Sequence, residues 1–343
     1  MPGFPQLEGR VVAITGASSG IGRATARAFA AKNASVVLAA RNREQLEDVA
    51  EECRNLGCQA LVLPTDVTDA DAVHALAHAA VGTFGRIDVW INNAGVGVIG
   101  SFPDTPLELH RRTIEVDLLG AFHGAYAALP RFIAQGEGIL INNISLGGWS
   151  PPPYAAAYAA AKFGLRALTS SLRQEMAVHP RIHVCGVFPA LIDTPGLASA
   201  ANMTGKAINA GPYLYDAEDV ARTFVALVRR PRDEVAVGWM ARAAQISFAM
   251  MPTATERIGA AVMRKALSKA GPAPISEGAL LATTTTPRRS DGGWRRAKAV
   301  PSARTLDRAL LASTAVAAAA LAVFVRRRTG RSSGGSHAEA QAG

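Results

Sequence analysis

Cysteine is scarce in this chain: Cys53, Cys58 and Cys185 are the three among 343 residues. They are too few for a disulfide framework, and none stands at the spacing a zinc site uses, so neither a stapled secreted module nor a metal centre is expected. They read as reduced, small apolar residues of a cytosolic protein. Met1–Arg10 also lacks a basic start followed by an apolar run, so no secretory leader is expected. No segment repeats at a fixed period, which argues against a solenoid or propeller.

Excess charge is nearly absent from the larger part of the chain. The net charge is +9, yet from residue 286 onward eleven Arg and Lys residues face three acids, which accounts for eight of those nine charges. The first 285 residues therefore carry about +1 and offer no strongly basic face. The basic tail has no recognition motif beside it, so no nucleic-acid partner is expected.

What is present is an alternation of short apolar runs and helical patterns. Strands are predicted at 10–16, 35–40, 60–63, 89–91, 138–144, 183–188 and 234–237, with helices at 21–32, 43–56, 69–83, 108–134, 154–178 and 216–229 between them. Wholly apolar strands separated by helices are what a parallel sheet buried on both faces requires. The fold class is thus α/β, a doubly wound parallel sheet. After about residue 268 the composition turns rich in Pro, Gly, Thr and Arg, so 1–268 is expected to be the main folded domain and 269–308 a linker or loosely packed extension.

Residues 309–325 are seventeen positions without charge. As a helix they would span about 25 Å, at the short edge of a bilayer crossing. Their many Ala, Ser and Thr residues drive insertion weakly, so a membrane helix and a docking helix both stand as readings. Flanking basic residues would keep the domain 1–268 in the cytoplasm, and 326–343 reads as a disordered basic tail.

Thr15-Gly16-Ala17-Ser18-Ser19-Gly20-Ile21-Gly22 falls between the first strand and the first helix. Glycines there allow a tight turn and close approach of a pyrophosphate to the helix N-terminal amides. The second strand ends Leu38-Ala39-Ala40-Arg41, with no acid at its tip for a ribose 2′-hydroxyl. Arg41, and beside it Arg43, suit a 2′-phosphate, which points to NADP(H); a solvated loop arginine is the plainer alternative. Tyr158 and Lys162 are four apart on a helix and so share a face. A phenol with a pKa of about 10 needs a nearby cation to serve as an acid–base group at neutral pH. Ser145, thirteen residues upstream at a strand end, can hydrogen-bond a substrate oxygen. Tyr154 has no lysine four residues on and is read as a pocket or packing residue. Residues 195–213 and the Met-rich stretch 239–264 are the expected specificity segments, the latter as an apolar pocket, as core packing or as a dimer contact.

In this combination the sequence resembles the short-chain dehydrogenase/reductase family over roughly residues 7–250. The resemblance rests on Thr15-Gly16-x-x-x-Gly20-x-Gly22, Asp66-Val67, Asn92-Asn93-Ala94-Gly95, Ser145, Tyr158-x-x-x-Lys162, and Pro189 with Thr194. It implies a Rossmann fold, a homo-oligomer and a small carbonyl or alcohol substrate. It also implies that Asp66 and Val67 hold the adenine, that Asn93 with Ala94 and Gly95 lies beside the cofactor, and that Pro189 and Thr194 meet its nicotinamide end. Ser145 would polarise the carbonyl, Tyr158 would be the acid/base, and Lys162 would bind the ribose and tune Tyr158. Two positions depart from the family pattern. Val116-Asp117-Leu118 stands where the family often has Val-Asn-Leu, which leaves a water-linked proton relay without its usual Asn. Pro189-Ala190 replaces Pro-Gly. A non-catalytic NADP(H)-binding sensor or scaffold is the alternative reading, against which the intact Tyr158 and Lys162 argue.

Overall fold

The computed structural model describes residues 3–209, 211, 213–283, 289–295 and 302–305. Seven strands form one parallel sheet: β1 (Val11–Thr15), β2 (Ser35–Ala40), β3 (Ala60–Pro64), β4 (Val89–Asn92), β5 (Gly138–Asn143), β6 (Ile182–Pro189) and β7 (Glu234–Val237). Their order across the sheet is β3-β2-β1-β4-β5-β6-β7, so the winding reverses between β1 and β4. In such sheets a ligand crevice opens at the carboxyl ends of the strands flanking the reversal.

One face of the sheet is covered by α1 (Gly20–Ala30), α2 (Arg43–Asn55) and a later helix, α8 (Ala217–Arg229). The other is covered by α3 (Ala70–Phe84), the consecutive helices α4 (Leu107–Ile114) and α5 (Gly120–Gln135), and α6 (Ala156–Glu175). A short α7 (Pro195–Ser199) follows β6. Val12, Ile14, Val36, Leu38, Trp90 and Ile141 are fully buried, as double coverage demands, and each such side chain contributes about 1.5–3 kcal/mol of hydrophobic stabilisation. Helix starts are fixed locally. Asn42 accepts a hydrogen bond from Gln45 N, and Asp69 accepts from Asp71 N and Ala72 N, satisfying amides that have no partner inside the helix.

Two expectations shift in detail. The helix expected over 108–134 is broken by a π-turn at Glu115–Leu119, a widened turn that admits one extra residue and carries Asp117 inward. The helix expected from about 154 starts at Ala156, because Tyr154 has a left-handed backbone (φ +63°). The three cysteines are free and buried, and burial, then the neighbouring Cys58 thiol, pushes the Cys53 thiol up to about 12.

The larger departure is at the C-terminal side. After α9 (Trp239–Met250) and α10 (Pro252–Lys269), the segment read from sequence as a linker from 269 is bonded back onto the fold, and the first compact unit runs from Met1 to Val300. Ala207 N bonds to Gly271 O, Asn202 and Ser276 exchange backbone bonds, and Leu280 is fully buried against Val98, Leu109 and Ala201. A window of Pro, Gly and Thr without periodicity gives no sign of such pairing, because the partners lie far off in sequence. In the second unit, residues 302–305 form a short turn in which Thr305 N bonds to Ser302 O. No helix among the described residues is long and apolar enough to cross a membrane; the run 309–325 lies outside them.

Candidate active site

The glycine-rich turn is pinned to the sheet from below. Thr15 Oγ1 donates to Ile91 O and accepts from Asn93 N and Ala94 N. Asn93 Nδ2 donates to Thr15 O and Gly16 O, while Asn93 Oδ1 accepts from Asn143 Nδ2. Asn93 thus ties the turn to the ends of β4 and β5. Gly16 has φ +66°, and a Cβ there would come 2.8 Å from Ala94 Cα, so the turn requires glycine. Ser18, Ser19 and Ile21 are partly exposed where α1 begins; Ser19 takes the N-cap position without a side-chain cap bond, and Gly20 N, the first amide of the helix, donates to Arg289 O.

At the far end of the crevice stand Arg41, Asp66 and Arg112. Arg112 donates to Asp66 Oδ2 (2.6 Å) and to Thr68 Oγ1 (2.6 Å). Burial would raise the Asp66 carboxyl, but bonds from Thr68 and Arg112 outweigh it and hold the group below the usual carboxylate range. Val67 is buried behind it, and its carbonyl meets His123 Nδ1 at 2.8 Å. Arg41 is not a solvated loop residue. Its guanidinium donates to Ala279 O (2.5 Å) and Leu280 O (3.4 Å), and burial lowers its pKa.

Between these ends lie Ser145, Tyr158 and Lys162. Ser145 follows β5 with φ 105°, a strained backbone for a residue with a Cβ, and its Oγ accepts from Gly147 N, the residue against which Tyr158 packs. Tyr158 is held with its ring edge against Gly147, and Gly97 lies nearby. The Lys162 ammonium sits 5.5 Å from the centre of the Tyr158 ring and 3.5 Å from Asn143 O. Burial pushes the Tyr158 phenol above its ordinary value; Lys162 and Ser145 pull it down, and Asp117 adds to the rise.

Asp117 is the residue that sequence reasoning set aside. The π-turn carries it into the interior, where Oδ1 accepts from Val96 N (2.7 Å) and Oδ2 lies 3.2 Å from Lys162 Nζ, an ion-pair distance without hydrogen-bond alignment. Gly95 packs beside both groups. The signal was visible as the Asp in Val116-Asp117-Leu118; its ion pair with Lys162 was not. Arg112 and Asp193 were also missed, since neither belongs to a motif.

Pro189 ends β6 buried, and Thr194 stands at the N-cap of α7 next to Gly20, which closes the crevice between the phosphate turn and the loop after β6. Tyr154 gives its carbonyl to Gly100 N and lies outside the Ser145–Tyr158 contact. In the Met-rich stretch, α10 buries none of its residues, and Met250, Met251, Ile258 and Val262 are exposed, so core packing is not what those residues do.

A family model described as short chain dehydrogenase matches residues 10–204. The uncharacterized oxidoreductase YxnA of Bacillus subtilis is 33% identical over 299 residues, covering 85% of this chain and 84% of that protein. A metagenomic short-chain oxidoreductase solved in complex with NADP is 32% identical with a TM-score of 0.58, covering 67% of this chain and 97% of the other. A short chain dehydrogenase/reductase from Burkholderia phymatum in complex with NAD has a TM-score of 0.64 at 24% identity, covering 71% and 96%, a likeness of fold alone.

Proposed function

Since the chain belongs to the short-chain dehydrogenase/reductase family, we propose that it is an NADP(H)-dependent oxidoreductase interconverting a carbonyl and an alcohol, with Tyr158 as the acid/base. The observation that carries the reading is the half-buried Tyr158, beside Ser145 and flanked by the buried Lys162 ammonium, next to a glycine-rich turn. The glycine-rich turn at the start of α1 suits a dinucleotide pyrophosphate, and Arg41 supplies a cation that suits a 2′-phosphate, with Arg112 paired to Asp66 beside it. The NADP-bound relative supports this choice, and the NAD-bound fold neighbour shows that the fold takes either dinucleotide. When bound, the nicotinamide supplies or accepts the hydride.

The chain's own residues handle orientation and the proton. Thr194, Asn93, Ala94 and Gly95 would border the nicotinamide end, and Asp66 with Val67 the adenine end. Ser145 Oγ would hold the substrate oxygen while the Tyr158 hydroxyl gives it a proton. With its pKa raised, Tyr158 is protonated at neutral pH, the form that carbonyl reduction uses. Lys162 would hold the ribose and keep a positive charge beside the phenol. A panel of carbonyls and alcohols followed by NADPH absorbance, with Tyr158→Phe as the blank, tests this reading. Equal turnover by the blank would sink it. For 309–325, the uncharged run between basic flanks supports membrane attachment of a cytoplasm-facing enzyme. A need for detergent, rather than salt, to release the full chain from membranes is its test.

A further inference from the structure

Outside the span matched by the family model, two segments of the C-terminal extension, 276–283 and 289–295, are fastened to the loops that rim the crevice. At the adenosine end, Ala279 O and Leu280 O receive Arg41, and Leu280 O lies 3.5 Å from Arg112 Nε. The Leu280 side chain is buried among Val98, Leu109 and Ala201, beside Val96 and Met203, on the other rim. Further along, Gly20 N in the phosphate turn donates to Arg289 O at 3.2 Å. The Asp193 carboxylate after β6 then accepts from Trp294 N (3.2 Å) and Arg295 N (3.1 Å), while Arg295 pairs with Asp216. Gly292 N bonds to Asp193 O, and a side chain at 292 would come 2.6 Å from Thr194 O, so the segment lies flush against the loop that carries Thr194.

These anchor points come from the turn after β1, the end of β2, the chain after β4 and the loop after β6, on both sides of the crevice. A segment fixed on both sides spans it. We propose that segments 276–283 and 289–295 form part of the dinucleotide site, a strap that roofs the crevice and holds a bound dinucleotide by its adenosine and pyrophosphate ends. The proposal rests on the dinucleotide reading given above. Its physical basis is twofold. Main-chain carbonyls fix the half-buried Arg41 guanidinium in place, so that its orientation toward a phosphate is set before the ligand arrives. Asp193, itself buried, is committed to two strap amides, so the strap is latched at the end where hydride transfer occurs.

The test is hydrogen exchange on the full chain with and without saturating NADPH, read at the amides of Ala279, Gly292, Trp294 and Arg295. A roof predicts slower exchange there when NADPH binds. Faster exchange would mean the strap is displaced by the dinucleotide and overturns the proposal, as does unchanged exchange in a protein that binds NADPH. Failure to bind NADPH or NADH would overturn the dinucleotide reading and the strap with it. Leu280→Asp puts a carboxylate into the apolar seat, and Arg295→Ala removes the ion pair with Asp216 that holds the other end. Each is expected to weaken NADPH binding about tenfold, mainly through faster release. Unchanged or tighter binding overturns the proposal. The exchange measurement needs no variant, so it stands if either substitution fails to fold.

Discussion

Asp117 Oδ2 and Lys162 Nζ lie 3.2 Å apart, both buried, in the wall behind Tyr158. Burial raises the Asp117 carboxyl, while Lys162 and the Val96 amide oppose that rise. Burial lowers Lys162, but Asp117 and the Tyr158 phenol carry its pKa above the ordinary lysine value, so the ammonium stays charged. The groups facing Tyr158 are therefore one cation, one carboxylate and the Ser145 hydroxyl.

The sign of the Asp117 effect is testable. Its charge raises the Tyr158 phenol, so Asp117→Asn is expected to lower it. Alcohol oxidation, which uses the phenolate, should then rise at lower pH than in the parent. The pH profile of kcat/KM for oxidation checks this, and an unmoved or upward-moved limb contradicts it. Because NADPH binding is measured in the same variant, a loss of ribose contact through Lys162 is told apart from a change in proton transfer.

Tyr158→Phe keeps the ring that packs against Gly147 and removes the proton. Turnover should fall by about 10²- to 10⁴-fold, the range of general acid–base contributions, while NADPH affinity stays near that of the parent. Steady-state kinetics beside a fluorescence titration read both quantities.

Arg41→Asp removes the cation at the end of β2 and places a carboxylate near Asp66. NADPH binding is expected to weaken by about 10- to 100-fold, equivalent to one charge-assisted bond, with NADH affected far less. The ratio of kcat/KM for the two coenzymes is the measurement, and a ratio that does not move would return Arg41 to a purely structural part, holding Ala279 and Leu280.

Gly16→Ala combines a left-handed backbone with a Cβ approaching Ala94 Cα. Strain and overpacking together should cost about 1–3 kcal/mol. A lower Tm, with dinucleotide binding impaired more than stability alone explains, is the expected result.

Much of this architecture was legible in the chain. The strands announced themselves because a sheet covered on both faces needs apolar strands, and Val11 to Ile14, Val36 to Ala40 and Val89 to Ile91 are such runs. The catalytic set was legible because Tyr158 and Lys162 are four apart on one helix, so local geometry brings them to the same face. The π-turn was not, because Glu115–Leu119 has the pattern of an ordinary helix and only packing against Lys162 and Val96 favours the widened turn.

The strap shows the limit most plainly. Residues 271–295 have the composition of a linker, and composition says nothing of which distant carbonyl meets which guanidinium. By itself the sequence determined what local rules control: apolar strands, the helices between them, the phosphate turn and the Tyr158–Lys162 pair. Tertiary structure alone decided that Asp117 is the counterion of Lys162 and that Arg41 is bonded to Ala279 and Leu280. Those bonds join groups 45 to more than 200 residues apart, and only the folded sheet brings such partners within reach.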